Sequence, residues 1–166
     1  MPLQILTHTP TWVWALLAAL IALGVSQSLP RRLTVRRATF VPVLLLVLSL
    51  AGVVTTFAAA GPALAAWAAG LAVALTVGRS LVSIEGARWD RGSASFDVPG
   101  SWLPLVLVLS LFVIKYGVGV TLAMVPSLVR DTLFEATVGA AYGLFSGLFL
   151  ARAASLWRLA RVATPA

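Results

Sequence analysis

The sequence predicts an all-α membrane protein, a five-transmembrane-helix bundle with its N-terminus outside, its C-terminus inside and a small cytoplasmic hairpin. Three observations point there. Five apolar stretches fill most of the 166 residues, each near the roughly 20 residues a helix needs to cross hydrocarbon. Only 10% of the chain is charged and 60% is hydrophobic, whereas a soluble domain is about one-quarter charged. Nearly all the arginines fall in alternate gaps between the stretches, the asymmetry that keeps basic loops cytoplasmic. One soluble core of this size could not hide so much apolar surface, so the lipid bilayer is the missing partner.

The spans follow in order. Residues 11–29 are apolar and closed by Pro30; no Lys or Arg precedes them, unlike the basic start of a cleaved signal, so this span is expected to be retained. Residues 40–60 place Pro42 in the first turn, where its missing N–H is harmless. Residues 62–78 are shorter and rich in alanine, with Ala66, Gly70, Ala74 and Gly78 every fourth position, which suits burial between helices. Residues 102–125 start after Ser101, a suitable N-cap, with Pro104 in the first turn and Pro126 just past the end. Residues 133–151 form the fifth span, and the tail 152–166 reads as an amphipathic helix on the inner leaflet. In lipid each span is helical, because no water is present to satisfy a strand's free edges. Trp12, Trp14 and Trp102 fall at span ends, where indoles favour the interface.

Charge tests the short third span. With five crossings the inner side receives Arg31, Arg32, Arg36, Arg37, Arg79, Arg88, Arg91, Arg152, Arg158 and Arg161, and the outer side only Arg130. If the third span did not cross, five basic residues would lie inside and six outside, and the positive-inside bias would vanish. Between the third and fourth spans, residues 81–85 and 93–98 are β-prone runs around Trp89-Asp90-Arg91-Gly92, turn chemistry that predicts the hairpin. Glu85, Asp90 and Asp97 lie among arginines there, as on a salt-bridged surface, at spacings that match no calcium loop.

Polar residues inside the spans are few. Lys115 lies well into the fourth span; a lysine at mid-membrane costs on the order of 2.5–3.5 kcal/mol. It marks either an ion, proton or anion site, or a side chain that snorkels outward or pairs with an acid. Glu135 is the expected partner, and Lys115–Glu135 is the candidate intramembrane pair. Glu135, Gly139, Gly143, Gly147 and Ala151 recur every fourth residue, the small-xxx-small pattern that lets helices approach closely. A short loop joins the fourth and fifth helices, so they are expected to pack antiparallel, with Gly119, one turn from Lys115, against Gly139. The inner arginines Arg31, Arg32, Arg36, Arg37, Arg152, Arg158 and Arg161 are the expected contacts to anionic phospholipid head groups.

Several chemistries lack their residues. The chain has no cysteine and one histidine, His8, so thiolate metal sites, disulfides and histidine-rich centres are ruled out. It has no phosphate loop, nucleophile elbow or HExxH motif. Neither enzymatic catalysis nor a cofactor is expected. The net charge of +7 reads as orientation and lipid attraction rather than nucleic-acid binding. Two functions remain: a non-enzymatic scaffold or accessory subunit, packed as a homo-oligomer or on a partner membrane protein, and a small oligomeric transporter or channel using Lys115. A transporter built on inverted repeats would show self-similarity, which is not evident.

The Leu-Thr-His-Thr-Pro-Thr-Trp-Val-Trp run ending at Trp14, the Val98-Pro-Gly-Ser-Trp-Leu-Pro-Leu105 run, Phe112 with Lys115-Tyr116, and Gly139, Tyr142, Gly143 and Gly147 resemble a family of small bacterial membrane proteins known as a domain of unknown function. The resemblance covers almost the whole chain. It implies a bacterial inner (plasma) membrane location and supplies no activity. In layout alone, basic loops between apolar spans, the chain is also similar to CcdC-like membrane proteins associated with cytochrome c biogenesis.

Overall fold

The computed structural model describes residues 10–57, 61–82 and 86–162. Helices α1 (Thr11–Ser28), α2 (Val35–Thr56), α3 (Gly61–Leu81), α4 (Leu103–Met124) and α5 (Thr132–Val162) dominate it, with strands β1 (Arg31–Thr34), β2 (Arg88–Asp90) and β3 (Ser95–Val98) and a 3-10 turn, Pro126–Arg130. Among the described residues, α2 to α5 supply four segments long and apolar enough to cross a membrane, and the apolar stretch Val13–Ser28 of α1 is shorter. The chain forms two compact units, Met1–Leu29 with Gly100–Pro126, and Pro30–Pro99 with Ser127–Ala166.

The first unit pairs α1 with α4. The chain leaves α1 through Leu29, which is extended as a residue before proline must be. Ser101 donates its N–H to the Gln27 carbonyl at 3.3 Å, and a Cβ on Gly24 would overlap the Leu105 side chain. The two helices are therefore antiparallel and in close contact at Gly24. The Ser101 hydroxyl accepts the Leu103 N–H at 3.3 Å, so it satisfies a first-turn donor from one residue before the N-cap position, Trp102.

The second unit is built on α5. Three pairs along α2 fix that helix antiparallel to α5: Thr39 with Trp157, Ser49 with Tyr142, and Phe57 edge-on to Phe134 at 6.3 Å. Helix α3 runs parallel to α5, because Gly139 meets Ala63, Gly143 meets Trp67, Gly147 meets Leu71 and Ala74, and Gly78 meets Ala151. The face of α5 carrying Glu135, Gly139, Gly143, Gly147 and Ala151 is buried. Asp131 caps α5, accepting the Phe134 N–H on Oδ1 at 2.8 Å.

Two expectations are corrected here. First, α2 begins at Val35, so Pro42 lies inside the helix rather than in its first turn, and its missing N–H deprives the buried Ala38 carbonyl of its helical donor. Second, the β-structure is a three-stranded antiparallel sheet of order β1-β3-β2 rather than a two-stranded hairpin. The strand before the turn is Arg88–Asp90; of the run 81–85 expected there, Leu81 ends α3 and residues 83–85 lie outside those described. The third strand comes from the loop after α1, where Leu33 pairs with Phe96 and Arg32 with Asp97. Beyond these, α5 continues unbroken to Val162, so residues 152–162 of the tail are helical as part of α5. At 31 residues it is about 46 Å long, more than the roughly 30 Å of a hydrocarbon core.

The overhang packs on the sheet. Leu33, Trp89, Phe96 and Val98 share one sheet face and close over Ala38, Leu156 and Ala160. Phe96 is 0% exposed, with Trp89 at 4.7 Å between ring centroids. The sheet thus caps the end of the unit where α2 begins and α5 ends.

Candidate functional site

Charge is segregated along the second unit. Arg31, Arg32, Arg36, Arg37, Arg88, Arg91, Arg152, Arg158 and Arg161 all lie in the sheet, at the start of α2 or in the last turns of α5, and Arg79 lies near the end of α3. Arg130 stands at the opposite end, before α5. The sequence alone could not show that β1 joins the arginines of the first loop to the hairpin of the second.

The register sets two faces. The row Arg32–Asp97–Arg88 spans the three strands on the face opposite Phe96, and Arg32 Nε meets Asp97 Oδ1 at 3.2 Å. Arg31 lies opposite Val98 and is half-buried. Its burial, and the like charge of Arg37, lower its pKa from the usual arginine value. Arg152, half-buried near the end of α5, lies in the field of Arg31. Arg31, Arg32 and Arg88 line an open groove of about 430 Å³ with Asp97, Pro30 and Pro99. Gly86, with φ +77°, turns the chain beside it. The β2–β3 turn is held by Asp90, which accepts the Gly92 N–H at 2.9 Å and the Ser93 hydroxyl at 2.7 Å; these bonds hold its carboxyl below the usual range.

The helical part carries a buried polar set that sequence reading missed. Trp67 donates its indole N–H to Ser49 Oγ at 3.0 Å, and the Ser49 hydroxyl donates to the Tyr142 carbonyl at 3.2 Å. Ser146 also donates to that carbonyl, at 2.8 Å. One set of bonds thus ties α2, α3 and α5 together. No buried side-chain nitrogen or oxygen among the described residues lacks a partner, as membrane-buried polar groups require. The only signal in the sequence is a serine and a tryptophan inside otherwise apolar spans.

The expected pair is divided between the units: Lys115 in α4 belongs to the first and Glu135 in α5 to the second. Lys115 is exposed on α4, and Glu135 is buried at 4% exposure. Gly119 and Gly139, expected to meet, are likewise divided between the units. A Cβ on Gly139 would overlap the Ala63 carbonyl, and one on Gly119 would meet nothing within 4 Å. The partner of the α5 glycines is α3, whose own small residues let the backbones touch. His8 and the Trp12 side chain lie outside the described residues. Among those described, no three His, Cys, Asp or Glu residues cluster as a metal would need.

The family model matches the chain from end to end, residues 1–166. The protein belongs to a family of unknown function, DUF6622. No curated protein and no solved structure matches it. The family supplies no activity, so any functional reading rests on the geometry above.

Proposed function

We propose that the protein is a non-enzymatic scaffold or accessory subunit of the bacterial inner membrane, with five crossings, N-terminus out and C-terminus in, whose sheet end lies on the anionic inner leaflet. The observation that carries this is the segregation of ten arginines at the sheet end of the second unit from Arg130 at the other. Cytoplasmic ends of spans retain arginine, and anionic lipid attracts it by about 1 kcal/mol per residue near the surface. The parallel run of α3 and α5 supports five crossings, since third and fifth spans cross in the same direction. The contacts expected with anionic head groups are Arg31, Arg32, Arg36, Arg37, Arg152, Arg158 and Arg161.

The absence of cysteine makes the topology test direct. Ser93→Cys and Ser127→Cys, one at each end of the second unit, are treated with an impermeant maleimide on intact spheroplasts and on inverted vesicles. Labelling of Ser93→Cys only in inverted vesicles, and of Ser127→Cys only in spheroplasts, is expected; the reverse pattern overturns the orientation.

A second reading, a small oligomeric transporter or channel, is favoured by one observation: Lys115 is exposed on an otherwise apolar helix. A neighbouring copy or a water-filled path would relieve the cost of a lysine in lipid. Ion and proton flux into liposomes separates the two. No flux is expected of the scaffold, whereas flux lost in Lys115→Met would establish the transporter.

A further inference from the structure

We propose that the free edge of β2 is a pairing surface for a second copy of this chain. The two β2 strands meet antiparallel about Trp89, so that Arg88 of each lies opposite Asp90 of the other. This rests on the scaffold reading, names the partner as the protein itself, and joins two three-stranded sheets into one of six strands.

The edge is the first observation. In the order β1-β3-β2, β2 has a neighbour on one side only. The backbone groups of residues 88–90 make no hydrogen bond outside the sheet among the described residues. Arg88 is exposed, and Trp89 and Asp90 are half-buried. An unpaired strand edge of this kind is a template for another chain.

Charge selects the occupant. Antiparallel self-pairing centred on Trp89 sets position 88 against position 90 twice, a positive residue against a negative one each time. Arg88 and Asp90 share the sheet face opposite Phe96, so they meet on one face while Trp89 meets Trp89 on the other. The row Arg32–Asp97–Arg88 then gains Asp90 of the second copy and alternates in sign across four strands. Arg32 holds Asp97 at 3.2 Å, which leaves the Arg88 guanidinium without a carboxylate among the described residues. Asp90 accepts one bond on each oxygen, from Gly92 and Ser93, and an ionised carboxylate has room for more. Trp89 packs on Phe96 and stays half-buried, so its open side suits a second indole. The other edge, β1, carries Arg31 and Arg32 and no acid, and has no charge complement in itself.

A two-fold axis through the Trp89 pair uses the same patch on both copies and closes at two. Copies inserted in the same direction need that axis along the bilayer normal, which a sheet resting by one face on the helix ends allows. Three residues a side make a small contact of the weak, reversible class, so the test is made at membrane density.

The test uses the full chain in inverted membrane vesicles, with single cysteines introduced into a chain that has none and oxidised by copper phenanthroline. Two tagged forms are co-expressed so that each link is assigned. Trp89→Cys is expected to link to itself, and Arg88→Cys to Asp90→Cys, because directly opposed Cα atoms stand about 4.5–5.5 Å apart, within disulfide reach. Arg88→Cys and Asp90→Cys should not link to themselves, since diagonal positions about 7–8 Å apart are beyond it. A second arm reverses charge in the Trp89→Cys background. Arg88→Asp alone and Asp90→Arg alone should each lower the linked fraction about tenfold, and the two co-expressed should restore it as a mixed dimer, which also shows that both chains fold. Arg88→Cys linked to itself, or ladders beyond the dimer, would overturn the register and the two-fold. No link at any of the three positions, or linking undiminished by both single reversals, would overturn the pairing. Any of these failures leaves the scaffold reading standing, since its own tests are Ser93→Cys labelling and flux.

Discussion

Replacing Gly143 by alanine should loosen the second unit, and replacing Gly119 by alanine should not. A Cβ on Gly143 would overlap the Trp67 carbonyl oxygen and lie 2.8 Å from its carbon and 3.0 Å from the Leu71 nitrogen. These are backbone atoms of α3, so no side chain can rotate away and the helices must separate. Overpacking of this kind costs about 1–3 kcal/mol, and rigid obstacles place Gly143→Ala near the upper end. Alanine returns about 1 kcal/mol of helix propensity, which leaves a net loss of about 2 kcal/mol. For a chain of this length that is a fall in melting temperature of about 4–8 °C. At Gly119 a Cβ meets nothing within 4 Å, so only the propensity gain applies, a rise of up to about 2–4 °C. Thermal unfolding of the purified chain in one detergent, followed by tryptophan fluorescence, compares the two. An unchanged melting temperature for Gly143→Ala, or a fall for Gly119→Ala equal to that of Gly143→Ala, would refute the packing of α5 on α3 through its glycines.

Three further outcomes follow from the same structure. Ser49→Ala removes the acceptor of the Trp67 indole and the bond to the Tyr142 carbonyl, and should cost about 1 kcal/mol; Trp67→Phe added to it should cost less than in the wild-type background, and additive melting shifts would count against the network. Phe96→Ala empties the centre of the sheet core, and a loss of about 3–5 kcal/mol should appear as proteolysis within residues 86–99 while the helical signal in circular dichroism persists. The Asp90 carboxyl titrates below its unfolded value of about 3.9, so its contribution is present above that pH and lost as pH falls through the folded value. Amide exchange at Gly92, corrected for intrinsic rate, should therefore stay protected from neutral pH to about pH 5 and loosen in more acid solution, and Asp90→Asn should remove that dependence.

How much of this was legible in the residues depends on the range of the interaction. Apolar runs and prolines located the helices because hydrophobic length and a missing N–H act locally. Even so, the start of α2 was misplaced, since Arg36 and Arg37 look like loop until β1 is seen to feed directly into the helix. The four-residue spacing of Gly139, Gly143 and Gly147 identified a face that another backbone must touch, but a period says nothing about the partner. Chain proximity suggested the neighbouring α4; within the second unit the glycines meet the α3 backbone. Ser49 and Trp67 are 18 positions apart and on different helices, so no local pattern could pair them.

The sequence by itself determined a membrane-length, arginine-asymmetric helical chain, because burial of apolar area and the cost of charge in lipid depend only on which residues stand in a row. It also excluded cysteine chemistry outright. Only the tertiary structure decided that Arg32 and Arg88 flank Asp97 across three strands, and that the end of α5 roofs the sheet core. Strand register and helix contact join segments more than sixty residues apart, and their free energy depends on the shape of both partners, which neither carries alone.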